Sequence, residues 1–262
     1  MIMKHQKSPI QIGNFIILSD KLIGKGRHSV IYDCINELNK QIPVCAKIFY
    51  NTKVPRSLQI EKLKSINNPN LVKYYEIFEH NNHLIIIMEK CDSNFKTQIQ
   101  KKPLTEQDTY EFLRQFLKGY QTLIDDDLDL RELKPINILV KNKIYKLTNY
   151  GISQLYELID GEAKAYSAPE VFYEKKQTRI KDVFSLGLVL YFGFCNKLPY
   201  TYRTAGDQLY FFRQIQQNGF EMKLEIPLKI QQLIQLMIIY DTSNRITFED
   251  IKLKLEIENS II

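Results

Sequence analysis

The sequence predicts an α+β protein in which a small β-rich lobe of five strands and one helix precedes a larger helical lobe. Three observations carry this. Up to about residue 90 the chain is a series of short β-branched and aromatic runs broken by Gly and Asn. After about residue 91 the apolar residues switch to a spacing of three or four. A length of 262 residues suits one large domain or two small lobes sharing a cleft.

Residues 1–13 read as a short tail, followed by a domain over about 14–257 with its lobes at 14–90 and 91–257. Strands are expected at Phe15–Ile23, Val30–Ile35 and Pro43–Tyr50, separated by Gly24 and Gly26 and by Asn39-Lys40-Gln41. Pro55 suits the first turn of a helix, Asn67-Asn68-Pro69 suits its end, and Ile60, Leu63 and Ile66 form its inward face. Strands at Leu71–Phe78 and His83–Glu89 complete the first lobe. In the second, Tyr110, Leu113, Leu117, Tyr120 and Ile124 mark an amphipathic helix. Val183–Cys195 is apolar on most faces and reads as a buried helix. Gln208–Gln216 and Pro227–Tyr240 are helical in pattern.

Composition narrows the function classes. With 44% hydrophobic and 25% charged residues the chain folds. The net charge of +6 is spread along it without a basic run interleaved with aromatics, so nucleic-acid binding is not expected. The longest apolar stretch, residues 183–195, is shorter than the roughly 20 residues a membrane helix needs. No apolar signal run opens the chain, and Cys34, Cys45, Cys91 and Cys195 show no metal-ligand spacing. Buried or partly buried thiols in a cytoplasmic or other reducing intracellular compartment are the expectation.

The strongest local signal is Leu130-Arg131-Glu132-Leu133-Lys134-Pro135-Ile136-Asn137, with Asn149-Tyr150-Gly151 twelve residues on. Upstream lie Ile23-Gly24-Lys25-Gly26-Arg27-His28-Ser29-Val30-Ile31, Val44-Cys45-Ala46-Lys47 and Met88-Glu89-Lys90-Cys91. Downstream lie Ala168-Pro169-Glu170, Asp182-Val183-Phe184-Ser185-Leu186-Gly187 and Asn244-Arg245-Ile246-Thr247. In that order, over roughly residues 15–255, these resemble the motifs of the eukaryotic protein kinase family, serine/threonine type.

The resemblance implies a bilobal kinase-like fold and a pocket for ATP or ADP. Gly24, Lys25, Gly26 and Ile31 then form the glycine-rich loop, Lys47 contacts phosphates, Glu89 and Cys91 lie in the adenine-binding hinge, and Leu139 lines the pocket. Glu132, Lys134 and Asn137 fall at catalytic-loop positions, and Asn137 and Asn149 at metal positions. Asp182 would cap the catalytic loop's backbone, and Glu170 and Arg245 would form a buried pair.

Several positions depart from the family pattern. Glu132 stands for the aspartate base, with an extra methylene that displaces the carboxylate by more than about 1 Å, a shift able to cost roughly 100-fold. Leu130 stands for histidine, Asn149 for the metal-binding aspartate, and Gln59 for the glutamate that pairs with Lys47. Glu61, two residues on, lies about 200° round a helix and does not simply substitute for it. Ala163 stands for the threonine that contacts the base, while Asp160 and Glu162 offer fixed charges toward Arg131 or plain loop solvation. Two negative charges are lost with Gln59 and Asn149, matching the two positive charges of Mg²⁺, so nucleotide binding is expected to depend little on that metal. Three readings follow. The first is a pseudoenzyme that binds nucleotide and acts through protein partners, such as another kinase. The second is an active serine/threonine kinase with Glu132 as an atypical base. The third is a basic adaptor, which fits the charge and not the motif order.

Overall fold

The computed structural model describes residues 8–26, 29–55, 58–130, 132–152, 165–173, 178–222 and 225–259. The chain divides into two compact units, the first built on the described residues up to Cys91 with Gly151 and Ile152, the second on the rest.

In the first unit an antiparallel six-stranded sheet has the order β1-β2-β3-β4-β6-β5. Its strands are β1 (Ile10–Ile12), β2 (Phe15–Lys25), β3 (Ser29–Asn36), β4 (Val44–Phe49), β5 (Tyr74–His80) and β6 (His83–Glu89). Five strands are expected from sequence; the sixth, β1, pairs Ile12 with Phe15 inside the segment expected to be a tail. Three residues are too few for a pattern of their own, and Ile12 earns its place only by burial against Phe15 and Ile17. Strands β4 and β6, neighbours in the sheet, are buried at every position. Asn81 and Asn82 take positive φ between the paired His80 and His83, the two-residue turn that matches strand twist.

The helix α1 of this unit runs only Ile60–Ser65 and does not begin at Pro55. Pro55 instead accepts a turn bond from the Leu58 N–H, and Gln59 becomes an exposed N-cap. Of the expected inward face, Leu63 and Ile66 are buried. Lys73 of the following segment donates to the carbonyls of Lys64 and of Ile66 (2.7 Å), satisfying the helix's open C-terminal end. Burial lowers the Lys73 ammonium's pKa below the usual lysine range.

The second unit is mainly helical, with α2 (Phe95–Lys101), α3 (Glu106–Asp125), α4 (Pro169–Tyr173), α5 (Ile180–Cys195), α6 (Ala205–Asn218), α7 (Leu228–Met237) and α8 (Phe248–Asn259). A three-stranded sheet of β7 (Ser93–Asn94), β8 (Ile138–Lys141) and β9 (Ile144–Leu147) accompanies them. Thr105 and Asp108 close α3 with a reciprocal capping box, and Thr204 and Asp207 do the same for α6. Helix α5 is buried along nearly its whole length, as its apolar faces require. Gly187 lets α7 approach it: an added Cβ would sit 2.8 Å from Ile238 and 2.9 Å from Met237. Among the described residues no helix is long and apolar enough to cross a membrane.

Candidate functional site

The residues singled out from sequence fall on both units. In the first, Gly24 and Lys25 end β2, and Gly24 pairs with Ile31 and Lys25 with Val30. Gly26 turns the chain, donating its N–H to Ser29 O at 2.8 Å. Arg27 and His28 lie outside the described residues. Neither Gly24 nor Gly26 has a positive φ, and an added Cβ on either would meet nothing nearer than 3.5 Å. The hairpin itself therefore places no demand for glycine there.

Ile31 is also the register partner of Lys47, so the two share a face of the sheet. Lys47 is buried in β4, its Nζ 5.0 Å from the Phe49 ring centroid two residues on. Gln59, which stands for the family's glutamate, is exposed ahead of α1 as its N-cap. Glu61 points to solvent and pairs with Lys64 at 3.5 Å. At the end of β6, the Glu89 N–H donates to Lys73 O at 2.8 Å and its carboxylate accepts from the Lys73 N–H at 3.4 Å. The buried Cys45 thiol donates to Glu89 O across 3.8 Å, and burial pushes its pKa up to about 12, so it stays protonated. Lys90 ties this segment to β3 through Asp33 at 2.8 Å. Cys91 is half-buried, and none of the four cysteines is in a disulfide.

In the second unit the catalytic-loop residues are drawn together. Glu132 Oε2 lies 2.6 Å from Lys134 Nζ, with the Glu132 side chain only 9% exposed. Asn137 donates from Nδ2 to Glu132 O at 3.0 Å, and its N–H bonds Lys134 O at 2.9 Å. These bonds fold Lys134–Asn137 into a tight turn headed by Pro135. Leu139 is half-buried on β8, in register with Asn94 and Lys146. Thr148 N–H reaches back to Asn137 O at 3.4 Å. Asn149 is buried with φ of 65°, a left-handed conformation that asparagine tolerates better than most residues. Tyr150 is fully buried and forms an antiparallel bridge with Leu130.

Two anchors hold this arrangement. Arg245 and Glu170 pair through both guanidinium nitrogens at 2.6 and 3.1 Å, as expected from sequence. The second anchor includes a residue not expected from sequence. Among the described residues the Asp182 carboxylate takes bonds from Tyr120 (2.7 Å) and Lys181 (2.9 Å), and it is Lys181 that reaches the loop backbone, at Leu130 O (3.3 Å). Burial raises the Asp182 pKa, opposed by Lys181. Sequence reasoning missed Lys181, because a lysine beside an apolar helix ordinarily points to water.

At the far end of the 149–170 segment, the carbonyls of Ala165, Tyr166 and Ser167 are held by Tyr200, Ser185 and Gln208 respectively. Arg131, Ser153, Tyr156, Asp160, Glu162 and Ala163 lie outside the described residues.

The sequence profile of the family described as "Protein kinase domain" matches residues 18–254. The chain is 29% identical to Calcium-dependent protein kinase 6 of Plasmodium berghei (strain Anka), over 86% of this chain and 16% of that protein. It is 27% identical to the Serine/threonine-protein kinase atg1 of Dictyostelium discoideum, over 92% of this chain and 38% of that protein. To Serine/threonine-protein kinase SIK1 of Mus musculus it is 28% identical, over 94% of this chain and 33% of that protein. The chain thus spans well under half the length of these relatives. With 237 matched residues (254 − 18 + 1), a sheet-based first unit and a helical second one, the chain belongs to the protein kinase domain family.

Proposed function

We propose that the chain is a kinase-like domain that binds an ATP-type nucleotide, transfers phosphate weakly or not at all, and acts by engaging a protein partner. Family membership implies ATP binding, usually with Mg²⁺. The chain's residues fit the nucleotide: Lys47 would meet phosphates, Gly24 and Gly26 carry no side chain to keep those phosphates from the hairpin backbone, and the Glu89–Cys91 segment would meet the base. Glycine at positions where the hairpin does not need it supports this assignment.

The donor set fits Mg²⁺ poorly. Asn137 and Asn149 are neutral amides, and Mg²⁺ prefers carboxylate oxygens and gives up water reluctantly. Asn137 donates its amide nitrogen to Glu132 O, so what it could offer a metal is its neutral amide oxygen. Among the described residues no group of three His, Cys, Asp or Glu side chains stands ready for a metal.

The observation that carries the reading is the Glu132–Lys134 pair at 2.6 Å. A substrate hydroxyl would have to share or displace that ammonium to reach the carboxylate, and Glu132 is one methylene longer than the aspartate of the family pattern. The competing reading, an active serine/threonine kinase with Glu132 as base, is favoured by the names of the relatives. Labelled-ATP transfer decides between them. Background transfer by the native chain, with transfer gained on Glu132→Asp plus Asn149→Asp, supports the impaired enzyme. Transfer by the native chain that Lys47→Met abolishes overturns it.

A further inference from the structure

We infer that Lys181 is a positioning residue that sets both halves of the candidate site, Glu132 and Asn149, through one hydrogen bond to the Leu130 carbonyl. The inference rests on the functional reading only in taking those two residues as the site.

The geometry is specific. Lys181 lies in the first turn of α5, its side chain 11% exposed, 2.9 Å from Asp182 Oδ1 and 3.3 Å from Leu130 O. Arg179, two residues earlier, donates to Leu128 O at 3.3 Å and to Asp127 at 3.2 Å. Two cations two residues apart therefore hold two carbonyls two residues apart. Leu128 and Leu130 bury apolar side chains, so the acceptor each can offer the cations of α5 and its N-cap is its backbone carbonyl.

A buried ammonium is costly unless it is paired and fully hydrogen-bonded. Helix α5 is apolar around its circumference, and an apolar side chain at 181 would serve its packing. What an ammonium adds is a second donor, one for Asp182 and one for Leu130. Asp182 is in turn held by Tyr120 on α3 at 2.7 Å, so the lysine is braced from a second helix. Leu130 stands two residues before Glu132 and is bridged to Tyr150, the neighbour of Asn149. A shift of Leu130 therefore moves the base position and the amide position together. Lys181 touches neither, which is why its role is positioning.

Hydrogen–deuterium exchange of the full chain tests this. In Lys181→Met, peptides covering 126–133 and 147–152 should exchange about tenfold to a hundredfold faster, the change expected from losing one hydrogen bond to a charged group. Peptides from 184–194 of α5 and 110–122 of α3 should stay protected, and Lys181→Arg should restore the loop. An even rise across α3, α5 and the loop, or an unchanged loop, overturns the inference. Should Lys181→Met fail to fold, Lys181→Met with Asp182→Asn removes cation and anion together and is scored by the same comparison. Exchange needs no nucleotide, so its failure overturns the positioning role alone. Lack of nucleotide binding with the exchange pattern intact overturns the functional reading alone.

Discussion

Replacing Glu170 with alanine should destabilise the chain by about 3–5 kcal/mol, the usual cost of stranding one member of a buried ion pair. The estimate rests on the surroundings of Arg245. Its side chain is 0% exposed, and two of its nitrogens bind Glu170 at 2.6 and 3.1 Å. Its remaining bonds go to the carbonyls of Ile180 (3.1 Å), Ile239 (2.8 and 3.0 Å) and Tyr240 (3.4 Å), with the guanidinium 5.0 Å from the Phe184 ring centroid. Removing Glu170 leaves a dry cation with dipoles and a ring but no counter-charge. Arg245→Met should cost more, because it strands the carboxylate and also orphans carbonyls worth about 1–3 kcal/mol each. The double variant should recover at least about 2 kcal/mol of the summed loss, since no lone charge remains, yet stay below the native chain. Urea titration followed by circular dichroism reads these differences, with the slope checking that one transition is compared throughout. A melting shift of about 6–20 °C accompanies the Glu170→Ala loss. A cost under about 1 kcal/mol with no coupling would refute the argument that this pair bears the junction of α4, α5 and the chain before α8.

Three further outcomes are expected. Asp182→Asn should flatten the acid side of the stability profile. The folded pKa of Asp182 is raised by burial while Lys181, Tyr120 and Asp129 face it, so its contribution is full below the ordinary carboxylate value and is lost as pH rises through the raised one. An unchanged pH slope in the variant would count against this. Gly187→Ala should destabilise despite the roughly 1 kcal/mol that alanine gains in helix propensity, because the new Cβ meets Met237 Cβ at 2.9 Å and overpacking costs about 1–3 kcal/mol; a higher melting temperature would refute the close approach. ATP or ADP should raise the melting temperature nearly equally in EDTA and in Mg²⁺, and a large metal requirement would overturn the poor fit of Asn137 and Asn149.

Much of the fold was legible because its signals are local. Alternation and β-branching placed β2, β3, β4 and β6 within one or two residues, and β6 at its observed bounds. The three-to-four spacing placed α3, and the apolar run placed α5, apart from its first turn. Helix α1 was read too long because Pro55 suits a helical first turn and a β-turn alike, and only the surrounding contacts choose. The strand β1 and the short α2 and α4 carry too few residues for a period to show. Of the candidate site, the order of residue types was legible, and the spacing of Glu132, Lys134 and Asn137 within one loop brought them together. The 2.6 Å pairing of Glu132 with Lys134 was not legible, since two flexible side chains choose partners only once the loop is folded.

By itself the sequence determined the family, the order of lobes and the chemical types at each special position, because these depend on identity and spacing along the chain. Tertiary structure decided how those types are used. It left Gln59 outside its helix, engaged Glu132 with a neighbouring ammonium, and turned Asn149 into the left-handed region. It also brought Lys181 onto the catalytic loop's backbone at Leu130 O. Each of these depends on which groups are removed from water together. Burial turns a lysine from a solvated charge into a directed donor, and only the packing of α3 against α5 and the loop makes that burial.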